Sequence, residues 1–470
     1  MFELTDRIGG IAVFAVKSPR LPAPLYPALE SLLSGQVALK TPGVVLEFTK
    51  AHTPDMAALG ALLEIYRRFS PFCQIAVCGL PDPAGFEESS HPITAWLPLF
   101  ETRKDALESE GLRRLRLADR QAIVLAGERH PGPPSHNVPL GLLPVFGTTL
   151  LHGTLQGLSA EGIAEITLDC GPDGEEIRSH ALRALVPAQT LRPYNNAYCG
   201  REAGSALLAL HRDLSAFERE CLVVFGHAAS TAGIPDLLEA HRTSNCAVSL
   251  AIAGSSGSMI LADLNAVAAS KASFAGVAVF SAGALDGLNL SPGRGFFSTL
   301  LPDMMRRGQT VQSFAAAAHK PLVSDSAVYF GHLRASLAER LAGVNGRTLL
   351  VEPSARLSRR AQISGPCYIG SDVEIAAGCR ISGPAIIETG CRLGRGTEVV
   401  SSVLTSLLTP ATGGRLHNVV AAPGWQLPIL AANDGSRRAV EQAQPSAAPL
   451  TSSVARVAAQ SSLALARPLQ

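Results

Sequence analysis

The chain has 470 residues, of which 47% are hydrophobic and 17% are charged, and its formal net charge at pH 7 is +1. This length allows about three domains, and the composition supplies enough apolar residues for their cores. The charge balance argues against nucleic acid as a partner of the whole chain. Neither a signal peptide nor a membrane span of about 18 apolar residues is predicted, so we expect a cytoplasmic protein.

Residues 1–115 are predicted to form an α/β domain. Three apolar runs, IGGIAVFAV, GVVLEFT and QIAVCGL, are typical of buried strands. Between the last two runs, apolar residues fall at helical spacing: Met56, Leu59, Leu62, Leu63 and Tyr66. ITAWLPLFE and KDALES predict further helices. The segment LESEGLRRLRLADR predicts a charged helical linker, whose basic residues favour a solvated face over a binding patch.

Residues 118–345 alternate between strand and helix patterns. The strands are predicted from AIVLAG, EITLDCG, CLVVFG, AVSLAIAG and GVAVFS. Apolar strands separated by helices such as GIPDLLEAHRTSN indicate a mainly parallel sheet that is covered on both faces. Ligands of such sheets bind outside the carboxyl ends of the strands. The stretches LAGERHPGPPSH and GHAAS each follow a strand, so we expect them at the mouth of a binding cleft.

Residues 348–428 carry a six-residue repeat. Aliphatic residues recur at a strict spacing of six, at Val351, Leu357, Ile363, Ile369, Ile375, Ile381, Ile387, Leu393 and Val399. Four residues after each comes a mostly small one, at Ala355, Ala361, Cys367, Val373, Cys379, Ala385, Cys391, Thr397 and Val403. This periodicity predicts a parallel β-helix with both sets pointing inward. The register is lost after about Val403.

Beyond this repeat, residues 429–470 are rich in Ala, Ser, Gln and Pro, and they predict a disordered tail. The nine cysteines are scattered and form no CxxC motif. We therefore expect reduced, buried thiols rather than a metal site or disulfides, with Cys367, Cys379 and Cys391 filling the β-helix core.

Two motifs of the second domain resemble the sugar-phosphate nucleotidyltransferase family. Leu125, Ala126 and Gly127 match the start of the family pattern LAGGxGTRL, and PLGLLPVFGTTLL, residues 139–151, matches PKxLLPVxGxPLL. The resemblance implies a Rossmann-like nucleotidyltransferase domain with a mainly parallel sheet, followed, as in several members, by a left-handed parallel β-helix. It also implies a nucleotide cleft, here vestigial, at Ala126, Gly127, Gly204 and Gly226.

The residues that hold phosphate in that family are replaced in this chain. Glycine amides would cradle the triphosphate, but Glu128 stands at the second glycine position and His130 at the third. A carboxylate repels phosphate. The family's arginine aligns with Gly132 or the prolines beside it, and its sugar-phosphate lysine aligns with Leu140. Each proline also removes an amide donor.

The metal-binding residues of the family are also altered. The Gly-Asp turn that holds Mg²⁺ aligns with Gly226 and His227, and neutral imidazole is a poor ligand for this hard cation. Asp325 is the nearest candidate for the later metal aspartate. His130, His136 and His227 are a conceivable substitute metal cluster, but ordinary loop residues are the favoured interpretation. We expect no bound cofactor, and Mg²⁺ only if the chain is an active enzyme.

The first domain resembles the STAS domain of sulfate transporters and anti-sigma-factor antagonists. In GVVLEFTKAHTPDMAALGALL, Asp55, Leu59 and Gly60 match the pattern DSSGLGxLL. The serine that is phosphorylated in the antagonists aligns with Ala57, so that switch cannot operate in the same way. The resemblance implies a protein partner at this domain. An unrelated small α/β domain is the alternative.

These resemblances favour a degenerate nucleotidyltransferase-like protein without catalytic residues. It would be a non-catalytic scaffold or a nucleotide-sugar-sensing regulator in bacterial polysaccharide or envelope biosynthesis, and we expect a homo-oligomer. The alternative is an active NDP-sugar synthase, which transfers a nucleotidyl group from an NTP to a sugar 1-phosphate with Mg²⁺ and a divergent site. A β-helix acyltransferase is a third hypothesis, for which His417 is the nearest candidate base.

Overall fold

The computed structural model describes residues 2–17, 25–48, 56–80, 96–118, 120–129, 138–172, 174–185, 189–195, 202–255, 257–343 and 348–429. The protein is an α/β multidomain protein with mixed, mostly parallel sheets and a C-terminal region of many short parallel strands. Among the described residues, no helix is both long and apolar enough to cross a membrane. The tail predicted over 429–470 lies outside these residues, apart from Ile429.

The first sheet has five strands in the order β1-β2-β3-β4-β5. Their bounds are Phe2–Ile8, Ile11–Val16, Gly43–Phe48, Gln74–Cys78 and Leu99–Phe100. Only β1 is antiparallel to its neighbour. Alternate residues of β2 enter two separate cores, one under α1 (Leu25–Ala38) and α2 (Met56–Phe69), the other under α3 (Arg103–Glu108) and α4 (Glu110–Arg113). Helices on both faces explain the continuous apolar run IAVFAV.

Two predictions for this region need correction. The helix predicted from ITAWLPLFE is wrong over its described part, because Leu99 and Phe100 pair in parallel with Val77 and Cys78 as the edge strand β5. The helical linker is also much shorter than predicted, since α4 ends at Arg113 and a turn follows. By contrast, the helix predicted from KDALES is confirmed as α3.

The turn after α4 is fixed by a hydrogen bond from Gly10 and by the close packing of two glycines, Gly9 and Gly162. The Gly10 N–H donates to the Leu115 carbonyl oxygen at 2.9 Å. A Cβ on Gly9 would lie 2.1 Å from the Arg116 oxygen, and one on Gly162 would lie 1.8 Å from the Arg114 oxygen. Both glycines have positive φ, so side chains are excluded by conformation and by space. These contacts hold the segment in a turn.

The second sheet has eight strands in the order β10-β9-β6-β11-β14-β12-β15-β13. Their bounds in chain order are β6 Gln121–Leu125, β9 Glu165–Asp169, β10 Thr190–Tyr194, β11 Cys221–Phe225, β12 Val248–Ala253, β13 Gly257–Ile260, β14 Phe274–Phe280 and β15 Val311–Ala316, with the small hairpin β7 Pro144–Val145 and β8 Thr148–Thr149 between β6 and β9. The five predicted strands are confirmed. β10, β9, β6 and β11 are parallel, whereas β14 is antiparallel to both neighbours.

Helices cover both faces of the second sheet. They are α5 Leu150–Ala160, α6 Gly174–Ala184, α7 Ala203–Leu214, α8 Ile234–Ser244, α9 Leu264–Ser270 and α10 Leu301–Arg306, which follows a π-helical turn. The last helix, α11 Ser326–Ala342, packs instead with the turn at Phe146 and the C-terminal strands. α5 illustrates how sequence sets position. Thr149 caps its first turn by accepting from the His152 N–H at 3.2 Å, and the predicted stripe Leu151, Leu155 and Leu158 is buried.

The C-terminal strands form three parallel sheets. The strands are β16 Leu349–Val351, β17 Arg356–Leu357, β18 Gln362–Ser364, β19 Cys367–Ile369, β20 Glu374–Ile375, β21 Arg380–Ser382, β22 Ala385–Ile387, β23 Arg392–Leu393, β24 Glu398–Val400, β25 Val403–Leu404, β26 Arg415–His417, β27 Val419–Ala422 and β28 Trp425–Pro428. From β16 to β21, each strand pairs with the strand 18 residues further along, as in Ile369 with Ile387. Only β28 is antiparallel.

The inward residues of these strands match the six-residue repeat. Cys367, Cys379 and Cys391 are free and have no exposed surface. The aliphatic positions are buried from Ile369 onward, whereas Leu357 on the first turn of the repeat is 36% exposed. The first turn has no strand layer before it, which leaves its inward side chains partly uncovered. The other described cysteines are also free and buried, as predicted.

A buried carboxylate connects these strands to the second sheet region. Glu388, which follows β22, accepts hydrogen bonds from the Phe146 N–H at 2.7 Å and the Gly147 N–H at 2.8 Å. The Phe146 ring lies edge-on to Tyr368 at 5.0 Å, and the Arg340 guanidinium lies over it at 4.5 Å. Burial raises the pKa of Glu388 to about 7, although both amides and Arg340 lower it.

Candidate functional site

Three adjacent strands of the second sheet end side by side. β9, β6 and β11 are parallel neighbours, so their carboxyl ends bring together Asp169, Ala126–Glu128 and Gly226–His227. The Ala126 N–H donates to the Asp169 carbonyl oxygen at 2.9 Å, and the Gly226 N–H donates to the Leu125 oxygen at 2.8 Å. This is the edge at which a mainly parallel sheet binds its ligands, and we call it the strand-end cleft.

Glycines allow the backbone turns of this cleft to approach closely. A Cβ on Gly127 would lie 2.8 Å from both Cα and N of Gly171, and 3.1 Å from Oδ2 of Asp169. A Cβ on Gly226 would lie 3.1 Å from the Ala126 Cβ, and one on Gly141 would lie 3.1 Å from the Gly226 oxygen. Gly127 and Gly226 are therefore required by the packing of the turns, whether or not a nucleotide binds.

Within the part of the chain that the structure describes, two buried polar atoms of the cleft have no hydrogen-bond partner. They are Glu128 Oε2 and His227 Nδ1. His227 is almost fully buried, and its Nε2 lies 3.8 Å from Glu128 Oε2, beyond hydrogen-bond range. The Glu128 side chain is 38% exposed along its length, but its Oε2 is turned inward. Buried polar atoms are nearly always paired, so both atoms suit a ligand or water in the cleft.

Burial also shifts the protonation of these groups. It lowers the pKa of His227 to about 3, so the imidazole is neutral at physiological pH. It raises the pKa of Glu128 to about 7, with a further increase from the Glu202 carboxylate and an opposing effect from Lys271. Burial raises the pKa of Asp169 to about 6, against a hydrogen bond from the Gly171 N–H. The cleft thus holds acidic side chains and a neutral histidine.

The other predicted site residues fall elsewhere or have structural roles. Gly204 lies in the first turn of helix α7 and packs against the Arg294 backbone, where a Cβ would lie 2.6 Å from the Arg294 oxygen. Asp325 caps helix α11, since its Oδ1 accepts from the Ala327 and Val328 N–H groups at 2.9 Å. His417 is about half exposed and lies 3.7 Å from Glu398. His130, His136 and Asp55 lie outside the described residues.

The strand-end cleft does not fit Mg²⁺ in the way that the predicted resemblance to nucleotidyltransferases would require. His227, which that resemblance aligns with the metal aspartate, is neutral and offers nitrogen, whereas the cation prefers oxygen. The Asp325 carboxylate already accepts hydrogen bonds from the first turn of helix α11. In the part of the chain that the structure describes, no three His, Cys, Asp or Glu side chains are grouped to hold a metal.

No protein-family model matches the chain, and no curated protein matches it.

Two acidic residues of this site are not predicted by the sequence patterns. Asp169 ends the predicted strand EITLDCG, and a charged residue at the carboxyl end of an apolar strand is the signal that could have identified it. Glu202 precedes helix α7, far along the chain from Glu128. Its proximity to Glu128 depends on tertiary packing, which no local pattern records.

Proposed function

We propose that this chain is a degenerate sugar-phosphate nucleotidyltransferase-like protein that acts as a non-catalytic scaffold or a nucleotide-sugar sensor. The observation that carries the proposal is the composition of the strand-end cleft. Glu128 stands where a phosphate-binding glycine would be, and neutral His227 stands where the metal aspartate would be. Phosphoryl transfer depends on positioning and on neutralising charge, and these two residues supply neither.

The architecture is consistent with this proposal. A mainly parallel sheet is followed by strands that pair at a spacing of 18 residues, which supports a Rossmann-like domain joined to a left-handed parallel β-helix. The five-stranded first sheet, with helices on both faces, supports a STAS-like domain. By resemblance, this domain would bind a protein partner, the β-helix would support a homo-oligomer, and the pathway would be bacterial polysaccharide or envelope biosynthesis.

The chemistry of the cleft favours ligand groups that donate hydrogen bonds. Glu128 Oε2 can only accept when ionised, and Asp169 is close to Gly127 in the same cleft. The hydroxyls of a sugar supply such donors, whereas a triphosphate supplies negative charge that these carboxylates repel. A nucleotide sugar bound without Mg²⁺ therefore suits the site better than a magnesium nucleoside triphosphate.

Calorimetric titration of the full chain tests this proposal. The four nucleoside triphosphates and common NDP-sugars would be titrated with and without Mg²⁺, against the parent protein, Glu128→Gln and the control Glu175→Gln. Glu175 is 85% exposed on α6, so its variant should bind as the parent does. We expect NDP-sugar binding without Mg²⁺, altered at least several-fold by Glu128→Gln. No binding of any NDP-sugar would reject the sensor and leave the scaffold.

A second result would overturn the proposal altogether. Tight, Mg²⁺-dependent binding of a nucleoside triphosphate, followed by pyrophosphate release on adding a sugar 1-phosphate, would make the chain an active NDP-sugar synthase. Substitution of Asp325 would then test whether that activity needs the aspartate beyond its helix cap. An Asp325→Asn variant keeps a side-chain oxygen for the cap, and would therefore separate the two roles.

A further inference from the structure

A second cavity is lined by residues other than those of the strand-end cleft. It has a volume of about 630 Å³ and opens between the first sheet region, at β1 and α3, and helix α8 of the second. Its floor is apolar, with Ile8, Leu107, Leu117 and Leu238 among the lining residues. This volume falls within the range of small-molecule sites, about 300–1,000 Å³, and such sites favour the junctions between domains.

Two arginines on one wall are available to a ligand. Arg116 lines the cavity, and its buried Nε has no hydrogen-bond partner among the described residues. Arg7 also lines the cavity and has no ion-pair partner within the described ranges. Uncompensated guanidinium groups beside an apolar floor are the groups that recognise phosphate or carboxylate.

The other cations of this cavity are already engaged. Arg103 forms an ion pair with Asp6. The Lys104 Nζ lies 3.9 Å from a Glu108 carboxylate oxygen, one turn along α3. Arg242 of α8, which also lines the cavity, is 3.4 Å from Glu220. The positive charge left for a ligand is therefore that of Arg7 and Arg116.

Helix α8, on the opposite wall, lines the cavity with two carboxylates, Asp236 and Glu239, besides the engaged Arg242. A ligand that bridges both walls must carry an anionic group at one end and hydrogen-bond donors at the other, with an apolar body between them. Inorganic phosphate has no such body, and a purely anionic chain would be repelled by α8.

From this arrangement we infer that the cavity binds a nucleoside phosphate. Its phosphate would lie on Arg7 and Arg116, its base on the apolar floor, and its ribose hydroxyls or exocyclic amine on Asp236 and Glu239. The inference is independent of the strand-end cleft and of the proposed function. It also changes the interpretation of the charged linker, whose Arg116 faces a cavity rather than bulk solvent.

The backbone that carries Arg116 is fixed before any ligand arrives. The Gly10 N–H binds the Leu115 oxygen at 2.9 Å, and Gly9 packs directly on the Arg116 carbonyl. Next to them, Arg113 forms an ion pair with the buried Glu161 at 2.5 Å. A fixed wall lowers the conformational entropy lost on binding, which favours affinity.

Calorimetric titration of the full chain also tests this inference. The probes are AMP, ADP, ATP, GMP, GTP and inorganic phosphate, each without added metal. The variants are Arg116→Gln and Arg7→Gln, with Arg415→Gln as the matched control, because Arg415 is 79% exposed on the C-terminal strands. We expect at least one nucleotide to bind the parent and the control equally. Each cavity variant should weaken binding about tenfold or more, as expected for loss of a charge-assisted hydrogen bond.

Four results would overturn the inference. The first is the absence of nucleotide binding to the parent at millimolar concentration. The second is inorganic phosphate binding as tightly as the nucleotides, which would indicate an adventitious ion only. The third is unchanged binding in both cavity variants. The fourth is binding altered by Glu128→Gln alone, which would assign the ligand to the strand-end cleft. Melting temperatures check folding, and if Arg116→Gln does not fold, Arg7→Gln decides.

Discussion

Replacing Glu388 with glutamine should have two opposing effects on stability at the contact between the C-terminal strands and the Phe146 turn. It removes a hydrogen-bond acceptor, and it removes a buried group whose ionisation is unfavourable. The carboxyl group is fully buried and faces two N–H donors, those of Phe146 and Gly147. The amide nitrogen of glutamine cannot accept a hydrogen bond, so one buried N–H loses its partner. This loss costs about 1–3 kcal/mol. At pH 5 the variant should therefore be less stable than the parent by about that amount.

The deficit should shrink as the pH rises. Burial raises the folded pKa of Glu388 from 4.5 to about 7, so the folded protein holds the proton more tightly than the unfolded chain. The contribution of this carboxyl group is therefore greatest below pH 4.5, and it declines until the pH passes about 7. Between pH 5 and pH 8 the free energy of unfolding of the parent should fall by about 2–3 kcal/mol because of this group. Glutamine does not titrate, so position 388 should make no such contribution in the variant.

Tryptophan fluorescence makes this difference measurable. The chain has two tryptophans, and Trp425 packs against the same cluster as Phe146 and Tyr368. Urea unfolding of a Trp96→Phe parent, followed through Trp425 at pH 5 and pH 8, reports the local transition. The matched control is Glu374→Gln, whose parent side chain is about half exposed and lies 3.8 Å from Arg356. Its effect should stay below about 1 kcal/mol at both pH values.

The differences in unfolding free energy between Glu388→Gln and its parent, measured at pH 5 and at pH 8, test the raised pKa of Glu388. If Glu388→Gln is destabilised equally at pH 5 and pH 8, within about 0.5 kcal/mol, the proton is not held by this carboxyl group. If the deficit instead grows with pH, the two amides and Arg340 outweigh burial, and the carboxylate is ionised throughout. Either outcome would refute the raised pKa while leaving the hydrogen bonds themselves intact.

Two further predictions concern the second sheet region. His241→Ala should lower the free energy of unfolding by about 2–4 kcal/mol, because the buried imidazole forms hydrogen bonds with Ser249 at 2.6 Å and Ser281 at 3.0 Å. Urea titration measures this loss, and a loss below about 1 kcal/mol would contradict the prediction. Gly162→Ala should destabilise by more than about 1 kcal/mol because of its positive φ and close contact, whereas Gly153→Ala, inside α5 with open space around it, should stabilise by about 1 kcal/mol. Thermal melts of both glycine variants compare them, and equal shifts would refute the packing argument.

The sequence predicted those parts of the fold that depend on local periodicity. The six-residue repeat determines which residues of the C-terminal strands point inward, because each repeat contacts its neighbours in the same way. The five apolar runs of the second region became strands because each is buried between helices on both faces. The failure at ITAWLPLFE has a matching cause, since β5 is only two residues long and its pairing with β4 is a tertiary contact.

The candidate site was less predictable, because its distinctive contacts join distant residues. Glu128 and His227 could be singled out by their positions after apolar strands, but their burial could not. Arg116 was assigned to a solvated face from its charged neighbourhood, and only the packing of Gly9 and helix α8 shows that it lines a cavity. Glu388 carried no signal at all, since its partners are backbone amides more than 200 positions away.

The same contacts imply that the strand-end cleft and the C-terminal strands cannot be treated as independent. The Leu140 N–H donates to the Glu128 backbone carbonyl oxygen at 3.1 Å, and Gly141 packs on the Gly226 carbonyl. A few residues later, the Phe146 and Gly147 amides are held by Glu388. One short segment therefore forms part of the cleft at one end and is anchored to the C-terminal strands at the other. A ligand that shifts this segment would change the energy of the Glu388 contact, and by reciprocity a proton bound at Glu388 would change the affinity of the cleft.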